Sequence, residues 1–114
     1  MKTLIPSILL VIGFLLFGLL SARADEAPLT LLKFEASWCG PCQQMKPVVN
    51  SVSSSFGSKV KVQSIDIDRN PALADKFKVR GVPYIVAIKN GKVVGKLMGY
   101  QSEADLTRFV NRKL

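Results

Sequence analysis

Cys39 and Cys42 are the two cysteines of this 114-residue chain, and two residues separate them. Zinc prefers four ligands, usually Cys or His. The chain has no histidine, so a zinc site within one chain is close to excluded. A structural disulfide gains stability with the length of the loop that it closes, and a four-residue loop is worth only about 2 kcal/mol. Free thiols are oxidised in exported proteins. The spacing therefore favours a redox dithiol.

The residues around the pair indicate a different task for each cysteine. Cys39 opens a predicted helix, where unpaired N–H groups and the helix dipole stabilise a thiolate and lower the pKa of a cysteine. Cys42 lies one turn further on and faces the same way. It can therefore attack a mixed disulfide formed by Cys39 and release the substrate. Gly40 and Pro41 suit the tight entry to the helix, because proline needs no N–H group there.

Hydrophobic periodicity predicts the elements that hold this pair. Strands are expected over 29–36, 59–67, 83–89 and 92–98, and helices over 39–56, 70–78 and 102–112. Asn90-Gly91 between the last two strands is a strong hairpin signal. The order βαβαββα predicts an α/β fold whose first two strands are parallel, with a right-handed crossover. Helices should cover both faces of a four-stranded mixed sheet.

The N-terminal segment is predicted to be a secretory signal peptide over 1–24. Lys2 precedes an uncharged apolar run from Leu4 to Leu20, and Ala22 and Ala24 form the A-x-A pattern of a cleavage site. Cleavage after Ala24 leaves 25–114 as one small domain in the periplasm or another exported compartment. The alternative is an uncleaved membrane anchor facing the same compartment, because a run of this length falls between a signal core and a span of about 20 residues.

The charge is basic, with 16 Lys and Arg against 8 Asp and Glu. Removing Lys2 and Arg23 with the signal leaves 14 against 8. Such a balance can indicate nucleic acid or a membrane surface as a partner. The lysines are scattered along the sequence, however, and aromatic residues do not interleave with them. We therefore expect a solvated basic surface, no nucleic-acid partner, and membrane contact only if the N-terminal segment is retained.

Several motifs together resemble the thioredoxin family. "WCGPC" (38–42) resembles its active-site motif, and "RGVPY" (80–84) resembles its cis-proline loop. "IDIDRNP" (65–71), Pro47 within the predicted helix, and "NGK" (90–92) fall where that family has a strand end, a helix kink and a hairpin. The resemblance covers nearly all of the chain after the signal. It implies a thioredoxin-like fold, thiol–disulfide oxidoreductase activity, no cofactor beyond the redox-active disulfide, and no metal.

The resemblance also implies roles for individual residues. Cys39 would be the nucleophile and Cys42 the resolving thiol. The remaining predicted residues fall into two groups: Trp38, Gly40 and Pro41 would form the active-site turn, and Val82, a cis Pro83 and Gly99 would join Trp38 in a groove for an extended peptide.

Three features depart from the family pattern. So few residues precede the first strand that we expect the family's N-terminal strand and helix to be lacking. Lys33 stands where the family has a buried aspartate, and Ser64 where it has that aspartate's lysine partner. Lys33 and Glu35 share a face of the first strand, so we expect them to pair and to tune the cysteines. The alternative is that Lys33 extends to water along an uncovered side.

The sequence therefore predicts an exported thiol–disulfide oxidoreductase, most simply a monomeric reductase of protein disulfides. In an oxidising compartment it would need a membrane thiol-electron donor. An oxidase or isomerase of protein disulfides is the alternative within the same class. An interaction subunit of an exported or membrane assembly is the alternative from another class.

Overall fold

Four strands and three helices make up the computed structural model, which describes residues 28–114. The strands are β1 (Leu29–Glu35), β2 (Val60–Asp66), β3 (Tyr84–Lys89) and β4 (Lys92–Met98), and the helices are α1 (Gly40–Phe56), α2 (Pro71–Lys76) and α3 (Glu103–Lys113). A short 3₁₀ turn, Gly57–Lys59, joins α1 to β2. The expectations about the signal peptide and about the missing N-terminal elements concern the chain before residue 28, so they fall outside the described residues.

The strands form one mixed sheet in the order β2-β1-β3-β4. β1 and β2 are parallel, whereas β1–β3 and β3–β4 are antiparallel. This arrangement confirms the predicted thioredoxin-like fold with four strands and three helices. Because β1 and β2 are parallel, their carboxyl ends meet at one edge of the sheet, where the segments that follow them come together.

The two faces of the sheet carry separate cores. On one face the strand residues Leu29, Leu31 and Ile85 pack against α1 and α3. On the other face Leu32, Phe34 and Val86 pack around the short helix α2. Each fully buried side chain of this size contributes about 1.5–3 kcal/mol relative to an exposed one. Both cores therefore hold β1, the strand that leads into the cysteine motif.

Local signals in the sequence fix several element ends. Gly57 follows α1 with φ 59°, a conformation that glycine adopts without steric cost. Asn90 and Gly91 both have positive φ in the β3–β4 turn, as a tight hairpin requires. The Asp105 N–H donates to Ser102 Oγ over 3.1 Å and caps α3.

Other element ends differ from the prediction by one or two residues. α2 ends at Lys76 rather than at 78, and Lys78 just beyond has φ 55°, which a helix cannot continue. Asn70 precedes α2, but its amide donates to the Asp66 carbonyl over 3.3 Å instead of capping the helix. Among residues 28–114, no helix has both the length and the apolar character needed to cross a bilayer.

Candidate active site

A disulfide joins Cys39 to Cys42 where β1 leads into α1. Their Cα atoms are 5.3 Å apart. The Cys39 N–H donates to the Ala36 carbonyl over 3.2 Å, which turns the chain from the strand into the helix. Cys42 is 0% exposed and Cys39 is 5% exposed. Solvent therefore reaches the first cysteine but not the second.

Cys39 is the N-cap residue of α1, one position earlier than the helix itself begins. The Cys42 N–H donates to Cys39 Sγ over 3.2 Å. This N–H is one of the first four of the helix, which have no partner inside it. The same N–H and the helix dipole favour negative charge on the Cys39 sulfur. Pro41 occupies the first turn, where its missing N–H costs nothing.

The loop before β3 lies against the cysteines. Val82 packs on the cluster that contains Cys39 and Cys42. The Val82–Pro83 peptide bond is cis, as the resemblance implies, and Pro83 is buried. The Pro83 carbonyl accepts from the Gly99 N–H over 2.8 Å. Gly99 has φ 84°, which favours glycine. The structure thus places Val82 against the disulfide and joins Pro83 to Gly99 by a hydrogen bond, and a peptide groove formed by these three residues stays a prediction.

Trp38 directly precedes Cys39, and 69% of it is exposed. One hydrogen bond holds its indole ring. Its Nε1–H donates to Asp68 Oδ2 over 2.9 Å. The Asp68 N–H in turn donates to Asp66 Oδ1 over 2.9 Å. Sequence reasoning missed Asp68. The signal that could have revealed it is the parallel β1–β2 pair, because segments that follow parallel strands meet at the carboxyl edge of a sheet.

Lys33 is buried in the sheet, with 2% of its side chain exposed. It shares its face with Leu29 and Leu31, because alternate residues of a strand face the same side. Its Nζ lies 3.4 Å from Glu35 Oε2, and the Glu35 side chain is 16% exposed. Lys33 therefore pairs with Glu35, as expected, and does not extend to water.

The Glu35 carboxylate borders a polar cavity behind the active-site turn. Glu35 Oε2 is shielded from solvent and accepts no hydrogen bond with proper geometry from residues 28–114, so its contact with Lys33 is an ion pair alone. The cavity has a volume of about 140 Å³ and is lined by Glu35, Ala36, Ser37, Gln43, Lys46 and Asp66. Its volume and polar lining suit water, which occupies about 30 Å³ per molecule. Charged and polar side chains therefore line this cavity between the end of β1 and the start of α1.

Comparison with known proteins gives a consistent result. The family model described as Thioredoxin matches residues 21–112. A thioredoxin of Staphylococcus saprophyticus is 32% identical over 89 residues, which cover 78% of this chain and 86% of the relative. A thioredoxin of Staphylococcus aureus gives the same identity and coverage.

Solved structures share the fold. A mutant thioredoxin from Halobacterium salinarum superposes with a TM-score of 0.70 at 36% identity, covering 78% of this chain and 77% of that one. A structure described as a malarial protein gives a TM-score of 0.73 at 26% identity, covering 77% of this chain and 99% of the other.

Proposed function

We propose, given that this chain belongs to the thioredoxin family, that it is an exported reductase of protein disulfides. Membership in the family, together with the Cys39–Cys42 pair, makes the protein a thiol–disulfide oxidoreductase. The family acts on protein disulfides and uses no cofactor beyond its own redox-active disulfide. Within residues 28–114 no cluster of side chains is arranged to hold a metal ion.

The Cys42 N–H bonded to the Cys39 sulfur is the observation that carries the proposed mechanism. In the reduced protein the Cys39 thiolate attacks one sulfur of a substrate disulfide. A mixed disulfide forms, and the other substrate sulfur leaves as a thiolate, which takes up a proton. Cys42 then loses its proton and attacks Cys39 Sγ. The second substrate thiolate leaves, and the Cys39–Cys42 disulfide is restored. Two electrons have passed from the pair to the substrate.

The burial of the two cysteines supports this order of attack. Cys42 is 0% exposed, so a protein disulfide can approach only Cys39. Val82 packs against Cys39 and Cys42, and Val82, Pro83 and Gly99 are the proposed groove for an extended peptide. Trp38, held by Asp68, bounds the groove on the side of the active-site turn. Binding in this groove would hold the substrate sulfur in line with Cys39 while Cys42 waits behind it.

The direction of the reaction is proposed from the "CGPC" sequence of the turn, which looks like a reductase motif. A reductase in an exported compartment must regain two electrons after each cycle. A membrane thiol-electron donor is the partner class that could supply them there. The N-terminal sequence features support export, with either a cleaved signal or a retained anchor. If the signal is cleaved, mass spectrometry of the exported protein will find Asp25 at the N-terminus.

An insulin-reduction assay with dithiothreitol tests the enzymatic proposal. The wild-type protein should accelerate insulin precipitation, and Cys39→Ser should reduce the rate to that of dithiothreitol alone. Cys42→Ser should accumulate a mixed disulfide, because the resolving thiol is gone. Ser53→Ala in α1 serves as a control that leaves the pair intact. Equal rates for the wild type and Cys39→Ser would instead favour an interaction subunit.

Thiol trapping in cells tests the direction. A reductase supplied with electrons should be found mainly with Cys39 and Cys42 reduced. A pair found mainly oxidised would overturn the reductase proposal in favour of an oxidase. A mixture that shifts toward the oxidised form when the membrane donor is deleted would support the proposed electron supply.

A further inference from the structure

The end of the sheet opposite the disulfide is formed by three chain segments. Leu29 at the start of β1 is the register partner of Val60 at the start of β2. Thr30 is the partner of Ile88, next to the β3–β4 turn. The starts of β1 and β2 and the β3–β4 hairpin therefore lie side by side. The cysteines follow the other end of β1, so the sheet separates this end from the active site.

Four lysines that are far apart in the sequence meet at this end. We call Lys59, Lys61, Lys89 and Lys92 the basic end. Lys59 and Lys61 flank the start of β2, and Lys89 and Lys92 are register partners across the hairpin. Like charges directly opposite each other on a sheet destabilise the fold. The two ion pairs within residues 28–114 are Lys33–Glu35 and Arg108–Asp105, so no acidic partner in that range offsets the charge of the basic end.

The acidic residues of the described chain lie elsewhere. They are Glu35, Asp66 and Asp68 at the active-site edge, Asp75 in α2, and Glu103 and Asp105 in the first turn of α3. Within residues 28–114 the basic end is therefore free of acidic side chains, whereas the remaining basic residues, such as Lys46, Lys76 and Arg80, lie elsewhere on the domain. A surface that is basic and unpaired at one end favours a flat, anionic partner there.

The chain connects this same end to an apolar segment. The uncharged run Leu4 to Leu20 is separated from Leu29 by the eight residues 21–28. A fully extended chain covers at most about 3.6 Å per residue, so this linker reaches less than about 30 Å. If the apolar run is retained as an anchor, the linker keeps the start of β1, and with it the basic end, within about 30 Å of the bilayer.

We propose that the basic end docks on an anionic lipid surface and holds the active site away from it. A lysine near such a surface contributes about 1 kcal/mol, or about five-fold in partitioning. The four lysines together are worth roughly two to three orders of magnitude, less the opposing effect of Asp25 and Glu26. A seven-residue strand spans about 23 Å. Docking at the basic end therefore leaves the cysteine pair and its groove facing the aqueous compartment.

The distribution of aromatic side chains favours lipid over nucleic acid. Proteins that bind single strands stack bases on aromatic residues next to a basic groove. The exposed aromatic residues of the described chain are Trp38 and Tyr100, and both lie at the active-site end. The basic end offers charge without stacking surfaces, which suits headgroups better than bases.

Amine labelling followed by mass spectrometry tests the proposal on the protein as the cell produces it, whether or not the N-terminal segment is retained. The protein is incubated with vesicles of phosphatidylcholine alone or with about one third phosphatidylglycerol. In anionic vesicles at low salt, labelling of Lys59, Lys61, Lys89 and Lys92 should slow by at least five-fold. Lys46, Lys76 and Lys78 should label equally in both. Salt at 0.5 M should remove the protection, because it shortens the screening length to a few ångströms.

A charge variant and its matched control complete the test. Replacing the four lysines of the basic end by Gln should lower binding to anionic vesicles at least 100-fold, with insulin reduction unchanged. Replacing Lys46, Lys76, Lys78 and Arg80 by Gln should change vesicle binding by less than ten-fold. Equal labelling of the basic end in both vesicle types would overturn the proposal. Protection by duplex DNA but not by anionic vesicles would overturn it in favour of nucleic acid.

Discussion

The two faces of β1 are both buried, but they differ in chemistry as the strand approaches the active site. The face toward α2 stays apolar to the end of the strand, with Leu32 followed by Phe34. The face toward α1 starts with Leu29 and Leu31 and then changes to charge at Lys33 and Glu35. The same strand therefore has an apolar anchor on one side and a buried ion pair on the other.

The difference shows where this fold tolerates charge inside the protein. Moving an ion pair from water into the protein often costs more free energy than the attraction between the two charges returns. A protein with two apolar residues at the same positions is therefore often equally stable or more stable. Phe34 meets that expectation, because apolar and aromatic side chains pack around it. Lys33 and Glu35 occupy the positions nearest the disulfide, where a charge can act on a thiolate. We infer that the apolar face of β1 stabilises the fold, and that the charged face tunes the redox properties of the cysteine pair.

The largest expected effect is that of Phe34→Ala on the apolar face. The Phe34 ring is 0% exposed and lies 5.8 Å from the Phe77 ring, centroid to centroid. Its removal should lower the free energy of unfolding by about 3–5 kcal/mol, because a cavity replaces a packed ring. Urea unfolding measures the change, with Val93→Ala at an exposed position as control. A loss below about 1 kcal/mol would mean that this face is not the anchor of the strand.

Glu35→Ala on the charged face should have the next largest effect. It leaves the Lys33 ammonium buried without its carboxylate, which costs about 3 kcal/mol in comparable pairs. Partial exposure of Glu35 reduces this to about 2 kcal/mol. The control is Glu103→Ala, an exposed carboxylate that accepts from Ser51 Oγ over 2.8 Å.

The double variant Lys33→Met/Glu35→Met sharpens this test. It should recover most of the lost stability, because an apolar pair needs no desolvation of charge. If the double variant is no more stable than Glu35→Ala, the loss in the single variant does not come from an unpaired ammonium.

Changes to the Lys33–Glu35 ion pair should have a smaller effect, and this effect is on the reduction potential of the Cys39–Cys42 disulfide. The Lys33 charge favours the reduced, thiolate form, so Lys33→Met should lower the potential, and Glu35→Gln should raise it. Unit charges about 10–15 Å apart interact by about 1–2 kcal/mol at an effective dielectric near 20, so an interaction on this scale would correspond to roughly 20–40 mV. Equilibration with glutathione measures both variants, and Asp105→Asn is the control. If the reduction potential moves in the same direction in both variants, the ion pair does not tune the disulfide.

The smallest effect should come from Asp68→Asn, which weakens an exposed contact. The Trp38 Nε1–H donates to Asp68 Oδ2 at the surface, where water competes for the hydrogen bond. We expect unfolding to change by about 0.5 kcal/mol, and insulin reduction to fall two- to three-fold because the indole is less restrained. A stability loss comparable to that of Glu35→Ala would show that burial does not decide the cost of breaking a polar contact here.

The order of the elements and the chemistry of the cysteines could be predicted because their signals are local. Periodicity over a few residues distinguishes a strand from a helix, and Gly57, Asn90-Gly91 and Ser102 mark ends by conformations or caps that involve only neighbours. The placement of Cys39 at the start of α1 follows from the same short-range rules. Chemistry that depends on one turn of helix is therefore readable from the sequence.

Contacts between distant segments were decided only by the tertiary structure. Asp68 reaches Trp38 because β1 and β2 are parallel, and their following segments meet at one edge. Lys33 is buried because α1 and α3 cover its face of the sheet, so Glu35 must compensate its charge. The lysines of the basic end are scattered in the sequence and lie at one end of the sheet. The physical reason is common to all three: burial and charge proximity depend on strand register and on which helix covers which face, and neither is encoded within a short stretch of sequence.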